Sequence, residues 1–184
     1  MDTYIDQAYE YYENKQLQLA KQTIIKEQLF FTNPIALNLI GSICWKLNNI
    51  KEAKKYYLLA VKCRKDFWPA YLNLGNLFYE DKKYSKALKY YIAALSHKGE
   101  NFIIYFNIGT CLLKMKRPTK AISYLLKSLE LKPTHLETNI NLAKAFYENN
   151  NFKKSFIYFN TALAIDGDNN IAKIGYKKSW KNLA

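Results

Sequence analysis

No run in this sequence is apolar for long enough to cross a bilayer. A spanning helix needs roughly 18 consecutive apolar residues, whereas even the stretch Phe102–Phe106 is bounded by Asn101 and Asn107. The start, Met1-Asp2-Thr3-Tyr4-Ile5-Asp6, lacks the basic opening and apolar core of a secretory signal, and no Asn-x-Ser/Thr acceptor occurs anywhere. The expectation is a cytoplasmic chain without a membrane span. Cysteine is scarce and odd in number: Cys44, Cys63 and Cys111 show no C-x-x-C spacing and sit among apolar neighbours, as reduced thiols packed like small hydrophobes would. Arginine is nearly missing too, with Arg64 and Arg117 alone among the 28 basic residues. The net charge of +13 would attract phosphates. Lysine, however, lacks the planar fork that favours bidentate contacts to phosphate and guanine, so nucleic acid is not the expected partner.

Recognisable chemistry is equally sparse. The chain holds no Gly-rich phosphate loop, no G-x-S-x-G elbow and no paired-His metal motif. His97 and His135 fall near repeat ends and read as surface linker residues. The run Asp166-Gly167-Asp168-Asn169-Asn170 begins like a calcium loop but continues to Ile171 and Lys177, where Gly and Glu are required. Glu80-Asp81 pairs two carboxylates at a helix end, with no apolar pocket to raise a pKa. The expectation is a non-enzyme with no catalytic residues, no metal and no cofactor.

What the chain has in quantity is apolar and aromatic residues, about half of the total being apolar with 16 Tyr and 10 Phe, which argues against disorder. They recur with a period. Gly41, Gly75, Gly109 and Ala143 stand 34 residues apart, and Ala8 precedes Gly41 by 33. Four positions before each come Tyr4, Leu37, Tyr71, Tyr105 and Asn139; three positions after come Tyr11, Cys44, Phe78, Leu112 and Phe146. Such spacing lies on one helix face. A second face follows in each unit: Ala20 and Ile24; Ala53, Tyr57 and Ala60; Ala87, Tyr91 and Ala94; Ala121, Leu125 and Ser128; Ser155, Phe159 and Ala162. Polar turns such as Asn48-Asn49, Asp81-Lys82-Lys83 and Asn149-Asn150-Asn151 separate the two, closed by Ile50, Tyr84 and Phe152. Each unit therefore reads as an antiparallel pair of amphipathic helices. The repeats are expected at 1–33, 34–67, 68–101, 102–135 and 136–169 of a single domain. Residues 170–184 are expected to form a capping helix, with Ala172, Tyr176, Trp180 and Leu183 as its apolar stripe and Lys173, Lys177, Lys178 and Lys181 opposite. The small residues are expected to face the second helix's Ala, letting the backbones approach.

This pattern resembles the tetratricopeptide signature W-x-x-L-G-x-x-Y, A-x-x-x-F, P. It does so most closely in Tyr71-x-x-Leu74-Gly75-x-x-Phe78 with Ala87-x-x-x-Tyr91, and in Tyr105-x-x-Ile108-Gly109-x-x-Leu112, Ala121-x-x-x-Leu125 and Pro133. Gln7, Asn139 and Ser155 depart from it. The resemblance implies an all-α fold, a right-handed superhelical solenoid of antiparallel helix hairpins, whose first helices line a concave groove.

Carried onto this chain, the family's groove positions give an apolar and aromatic stripe that includes Asn38, Leu72 and Phe106, then Trp45, Tyr79 and Tyr147. A second, polar stripe holds Asn73, Asn107 and Asn141, then Asn76, Thr110 and Lys144. An amide offers a donor and an acceptor together, matching an extended peptide backbone, so a row of Asn would hold a chain whatever its sequence. The expected partner is another protein, bound through a peptide segment. The family's carboxylate clamp is not expected, because Ile5, Asn38 and Leu72 stand where it needs Lys. Most lysines map to second helices, for example Lys51, Lys55, Lys86, Lys89, Lys120, Lys127, Lys153 and Lys154. Two rival readings remain: that convex surface binding nucleic acid or anionic lipid, and a docking module for a separate enzyme.

Overall fold

The computed structural model describes residues 3–27 and 30–183, so the outermost residues of the first repeat and of the terminal segment, 1–2 and 184, lie outside it, as do 28–29. The described residues form eleven α-helices and one short 3-10 turn, Phe30–Thr32, with no strand among them. The fold is all-α, built of antiparallel helix hairpins. Two compact units divide it, Met1–His97 and Lys98–Ala184.

In the first unit the hairpins are α1 (Thr3–Glu13) with α2 (Leu17–Ile25), α3 (Pro34–Lys46) with α4 (Ile50–Cys63), and α5 (Trp68–Glu80) with α6 (Tyr84–Lys98), the last reaching just past the boundary. In the second unit α7 (Phe102–Lys114) pairs with α8 (Pro118–Leu131) and α9 (Leu136–Glu148) with α10 (Phe152–Ile165), and α11 (Asn170–Lys181) packs on α9 and α10. Ile50, Tyr84 and Phe152 open the second helices, as the turn pattern predicts.

Each first helix stops by the same device. Lys15, Asn48, Lys82, Lys116 and Asn150 adopt left-handed backbone with φ between 55° and 60°. Behind each, the next N–H reaches five residues back, Asn49 to Cys44 at 2.8 Å and Arg117 to Leu112 at 3.0 Å, while the left-handed residue's own N–H reaches three back, Asn48 to Trp45 at 2.9 Å. This pair of bonds is the Schellman closure, usually built on glycine. Asn49 and Asn151 also start the following helix, their side chains accepting from the N–H of Glu52 at 3.4 Å and of Lys154 at 3.1 Å. Asn33, Asn101 and Asn169 cap α3, α7 and α11 in the same way.

Packing within a hairpin differs from expectation in one respect. Gly41 and Gly109 do not chiefly face alanine: a Cβ there would stand 2.6 Å from the ring of Tyr57 or from Leu125. Gly75 stands the same way against Tyr91, and between α10 and α11 Gly175 does so against Phe159. The missing side chain makes room for a large one, four residues beyond the conserved-in-phase Ala53, Ala87, Ala121 and Ser155, and Tyr57 and Tyr91 are wholly buried as a result.

The polar residues that enter the core of the later repeats bring hydrogen-bond partners with them. Ser128, where earlier second helices have Ala, donates to the Phe102 carbonyl at 2.9 Å and lies 3.3 Å from Thr138 Oγ1. Ser155 Oγ and Ser179 Oγ are 2.8 Å apart in a fully buried site between α10 and α11. Buried Asn139 donates to the carbonyls of Pro133 at 3.1 Å and His135 at 3.0 Å. Polar groups thus entered the core with their partners.

Three expectations need correction. The face that α11 buries is Ala172, Gly175 and Ser179, whereas Trp180 is 62% exposed and Leu183 42%. The reason is register: α11 continues the 34-residue phase of the first helices, whose inward positions toward the preceding hairpin are these three. Cys63 is exposed, its thiol 2.9 Å from the Thr32 carbonyl, while Cys44 and Cys111 are buried as expected. His135 is not a solvated linker residue; half-buried ahead of α9, its Nδ1 lies 2.7 Å from Thr138 Oγ1 and its ring meets Phe102 and Phe106 edge-on at 5.3 and 5.1 Å. Burial lowers its pKa, opposed by Glu137.

Candidate functional site

The twelve residues singled out from the sequence all lie on first helices, and all are half-buried. Six belong to the first unit. Asn38 (α3) and Asn73 (α5) are joined, the Asn73 amide donating to Asn38 Oδ1 at 2.9 Å. Asn76 accepts from the Tyr91 hydroxyl at 2.9 Å, and Ser42 and Tyr57 stand in the same relation at 3.2 Å. The buried tyrosines of α4 and α6, Tyr57 and Tyr91, therefore reach between the helices to organise a polar residue on the first-helix face. Tyr79 meets Tyr84 edge-on at 5.4 Å, and Trp45 rests against the core of the unit. Leu72 is half-buried on α5.

The other six belong to the second unit. Asn141 (α9) donates to Thr110 Oγ1 (α7) at 2.9 Å. Leu125 replaces the tyrosine here, so Thr110 is organised by the next repeat's Asn rather than by a phenol. Tyr147 meets Phe152 edge-on at 5.2 Å, repeating the Tyr79–Tyr84 arrangement. Phe106 packs on His135, and Asn107 is half-buried on α7. Lys144 is partly buried; desolvation, then the like charge of Lys114, lower its pKa against the pull of Glu148. Within each unit, then, one pair of predicted polar positions is joined across neighbouring first helices, Asn38 with Asn73 and Thr110 with Asn141. The spacing brought these helices together but not these partners, since the bonded pairs are 35 and 31 residues apart rather than one 34-residue repeat. Their mutual bonds were not read from it.

The second-helix lysines have work of their own. Lys54 and Lys86 lie over the Phe78 ring at 5.2 and 5.8 Å, Lys127 over Tyr105 at 5.6 Å and Lys154 over Phe146 at 5.3 Å. Their stems cover aromatic surface that the hairpins leave open. Among the described residues no helix is long and apolar enough to cross a membrane, and no group of three or more His, Cys, Asp or Glu could hold a metal ion.

Sequence models described as tetratricopeptide repeat match residues 35–67, 70–101 and 100–168. No curated protein matches significantly. Among solved structures, Pseudomonas aeruginosa pilF is similar with a TM-score of 0.84 at 21% identity, over 99% of this chain and 89% of that one. YrrB, described as a TPR protein with an unusual peptide-binding site, gives 0.77 at 21%, over 95% and 90%. The first TPR of Spaghetti (RPAP3), bound to the HSP90 peptide SRMEEVD, gives 0.62 at 16%, over 63% and 92%. At these identities the likeness is one of fold.

Proposed function

The chain belongs to the tetratricopeptide repeat family, and from that premise we propose that it is a protein-interaction scaffold holding an extended segment of a partner against its first helices. One observation carries the reading: amides are fixed by side chains of the adjacent first helix, Asn73 by the Asn38 carbonyl and Asn141 by the Thr110 hydroxyl, at 2.9 Å each. An amide has two N–H groups and two carbonyl lone pairs. A single bond to a neighbour orients Asn73 or Asn141 and leaves capacity for the N–H and C=O of a passing backbone, so part of the ordering cost is met before the ligand arrives. Half-buried Tyr79 on the first helices of the first unit, and Phe106 and Tyr147 on those of the second, would read side-chain shape. Two proteins of similar fold are described as peptide-binding, which supports the reading.

The rival surface of second-helix lysines is favoured less, because Lys54, Lys86, Lys127 and Lys154 lie along aromatic rings.

The test uses a partner segment recovered by affinity capture and titrated against variants. Changing Asn73, Asn107 and Asn141 together to Ala removes several bonds of about 0.5–1.5 kcal/mol each, so affinity should fall by roughly a hundredfold. Stability should change far less, since these residues are half-exposed. Reversing the charge of Lys86, Lys89 and Lys120 should leave binding nearly intact. If only the lysine variant weakened binding, the groove reading would fail.

A further inference from the structure

In the second unit Thr110, Lys144 and Lys178 stand 34 residues apart on α7, α9 and α11, and so do Asn107, Asn141 and Gly175. The helix α11 thus has glycine where the other two first helices have asparagine. Because Phe159 of α10 presses its ring against Gly175, no α11 side chain fills the space above that ring. A hollow of about 230 Å³ results, floored by Phe159 and walled by Tyr147 on one side and Ile171 and Ile174 on the other. Ile171 and Ile174 are 54% and 57% exposed, a large apolar area for one turn of helix. Lys144, Glu148 and Lys178 line its mouth.

A second hollow of about 190 Å³ adjoins, sharing Lys144 and Glu148 and lined further by Thr110, Asn141, Lys114 and Lys116. Four lysines therefore surround the pair against one carboxylate, and that carboxylate already faces Lys116 at 3.8 Å. We propose that the two hollows seat an acidic segment of a partner protein, a large apolar side chain entering above Phe159 while carboxylates on either side of it face Lys144 and Lys178. The proposal rests on the groove reading in taking a peptide segment as the ligand, and adds its chemistry and its place.

Charge and shape select this occupant. A second copy of the chain carries +13 and would bring like charge to a cationic mouth. A lipid surface is flat and cannot reach a floor set between two helices. A carboxylate beside Lys144 would relieve the repulsion between it and Lys114, whose proximity together with burial already disfavours the Lys144 ammonium.

The probe is a fluorescent peptide blocked at both ends, Gly-Asp-Glu-Phe-Asp-Glu-Gly, compared with one carrying Asn and Gln for the acids and one carrying Ala for Phe. Blocking the ends confines the carboxylates to side chains. By anisotropy on the full chain, the acidic phenylalanine peptide should bind about tenfold tighter than either control, as expected for a few partly screened charge pairs and one buried ring. Lys144→Gln with Lys178→Gln should erase the preference for acid and leave the neutral peptide unaffected. Ile174→Asp, at an exposed position, should abolish binding of the acidic peptide with the helical circular dichroism unchanged. Lys89→Gln, exposed on α6 in the other unit, should leave the preference intact.

Equal binding of acidic and neutral peptides, or a preference that survives the lysine changes, would overturn the proposal while leaving the groove reading in place. So would no measurable binding of the acidic peptide, the groove reading then standing or falling on the captured segment and the Asn variants. A single-stranded oligothymidine that bound as tightly as the acidic peptide, and lost it through the same lysines, would show a site for polyanions in general and also overturn it.

Discussion

At the scale of single residues, the buried hydroxyl pairs make the sharpest test of the core. Ser179 donates to the Gly175 carbonyl at 2.9 Å, so the Ser155 proton points to Ser179 Oγ, 2.8 Å away. Ser179→Ala should cost about 1–3 kcal/mol because it strands the Ser155 hydroxyl, whereas adding Ser155→Ala should recover part of that loss, giving a non-additive cycle in urea melts. Thiol labelling separates the cysteines: a water-soluble reagent should modify Cys63 quickly, and Cys44 and Cys111 only after denaturant is added. Burial also raises the Cys44 thiol's pKa, which further slows it. For His135 the folded pKa lies below the ordinary value, so the unfolded chain binds the extra proton first. The contribution is present above the unfolded histidine's pKa and lost as the pH falls through it. Relative to His135→Gln, the native protein should lose stability as the pH falls below the unfolded histidine's ordinary value of about 6.5 and on through the lower folded pKa; parallel pH profiles for the two would show the ring to be solvated. None of these partners could be read from sequence, because Ser155, Ser128 and Asn139 look like erosion of a motif until the residue across the interface is known.

Helices and turns were far more legible. The 34-residue phase places every first helix, and each apolar turn closer marks the start of a second one. Hidden from the sequence was the conformation of the turns, since Lys15, Lys82 and Lys116 are not residues that announce left-handed backbone. They occupy it because the closing bonds of five hairpins over-determine it. Such a residue costs about 1–2 kcal/mol relative to an unstrained one. Lys82→Gly should therefore stabilise the protein by up to about 1 kcal/mol after the glycine's own entropy is counted. Arg117 precedes α8 without a side-chain cap, where Asn49 and Asn151 supply one in the equivalent place. Arg117→Asn should add about 1 kcal/mol, read as a shifted urea midpoint at unchanged slope. The stripe of α11 was misread for a related reason: spacing identifies a helix face, but only the register inherited from earlier repeats says which face turns inward.

On the scale of the whole molecule, charge is the dominant long-range term. With +13 distributed over the surface and a handful of opposite pairs such as Lys21–Glu52 at 3.3 Å, self-repulsion should outweigh attraction. Raising sodium chloride from about 10 to about 200 mM shortens the screening length from roughly 30 Å to under 10 Å, and the melting midpoint should rise. A fall would mean that the ion pairs carry more stability than the net charge removes. The fold was recoverable from sequence because it is set by repeated local patterns; the candidate site was recoverable only as positions, because the bonds linking Asn38 to Asn73 and Thr110 to Asn141 depend on which neighbour each side chain meets. The five turns have one further consequence. Their Schellman bonds run between main-chain atoms alone, so the backbone path of one repeat's turn should be transplantable into another as an interchangeable joint, provided that the side chains with local duties, the caps Asn49 and Asn151 and the ion-paired Lys116, are kept.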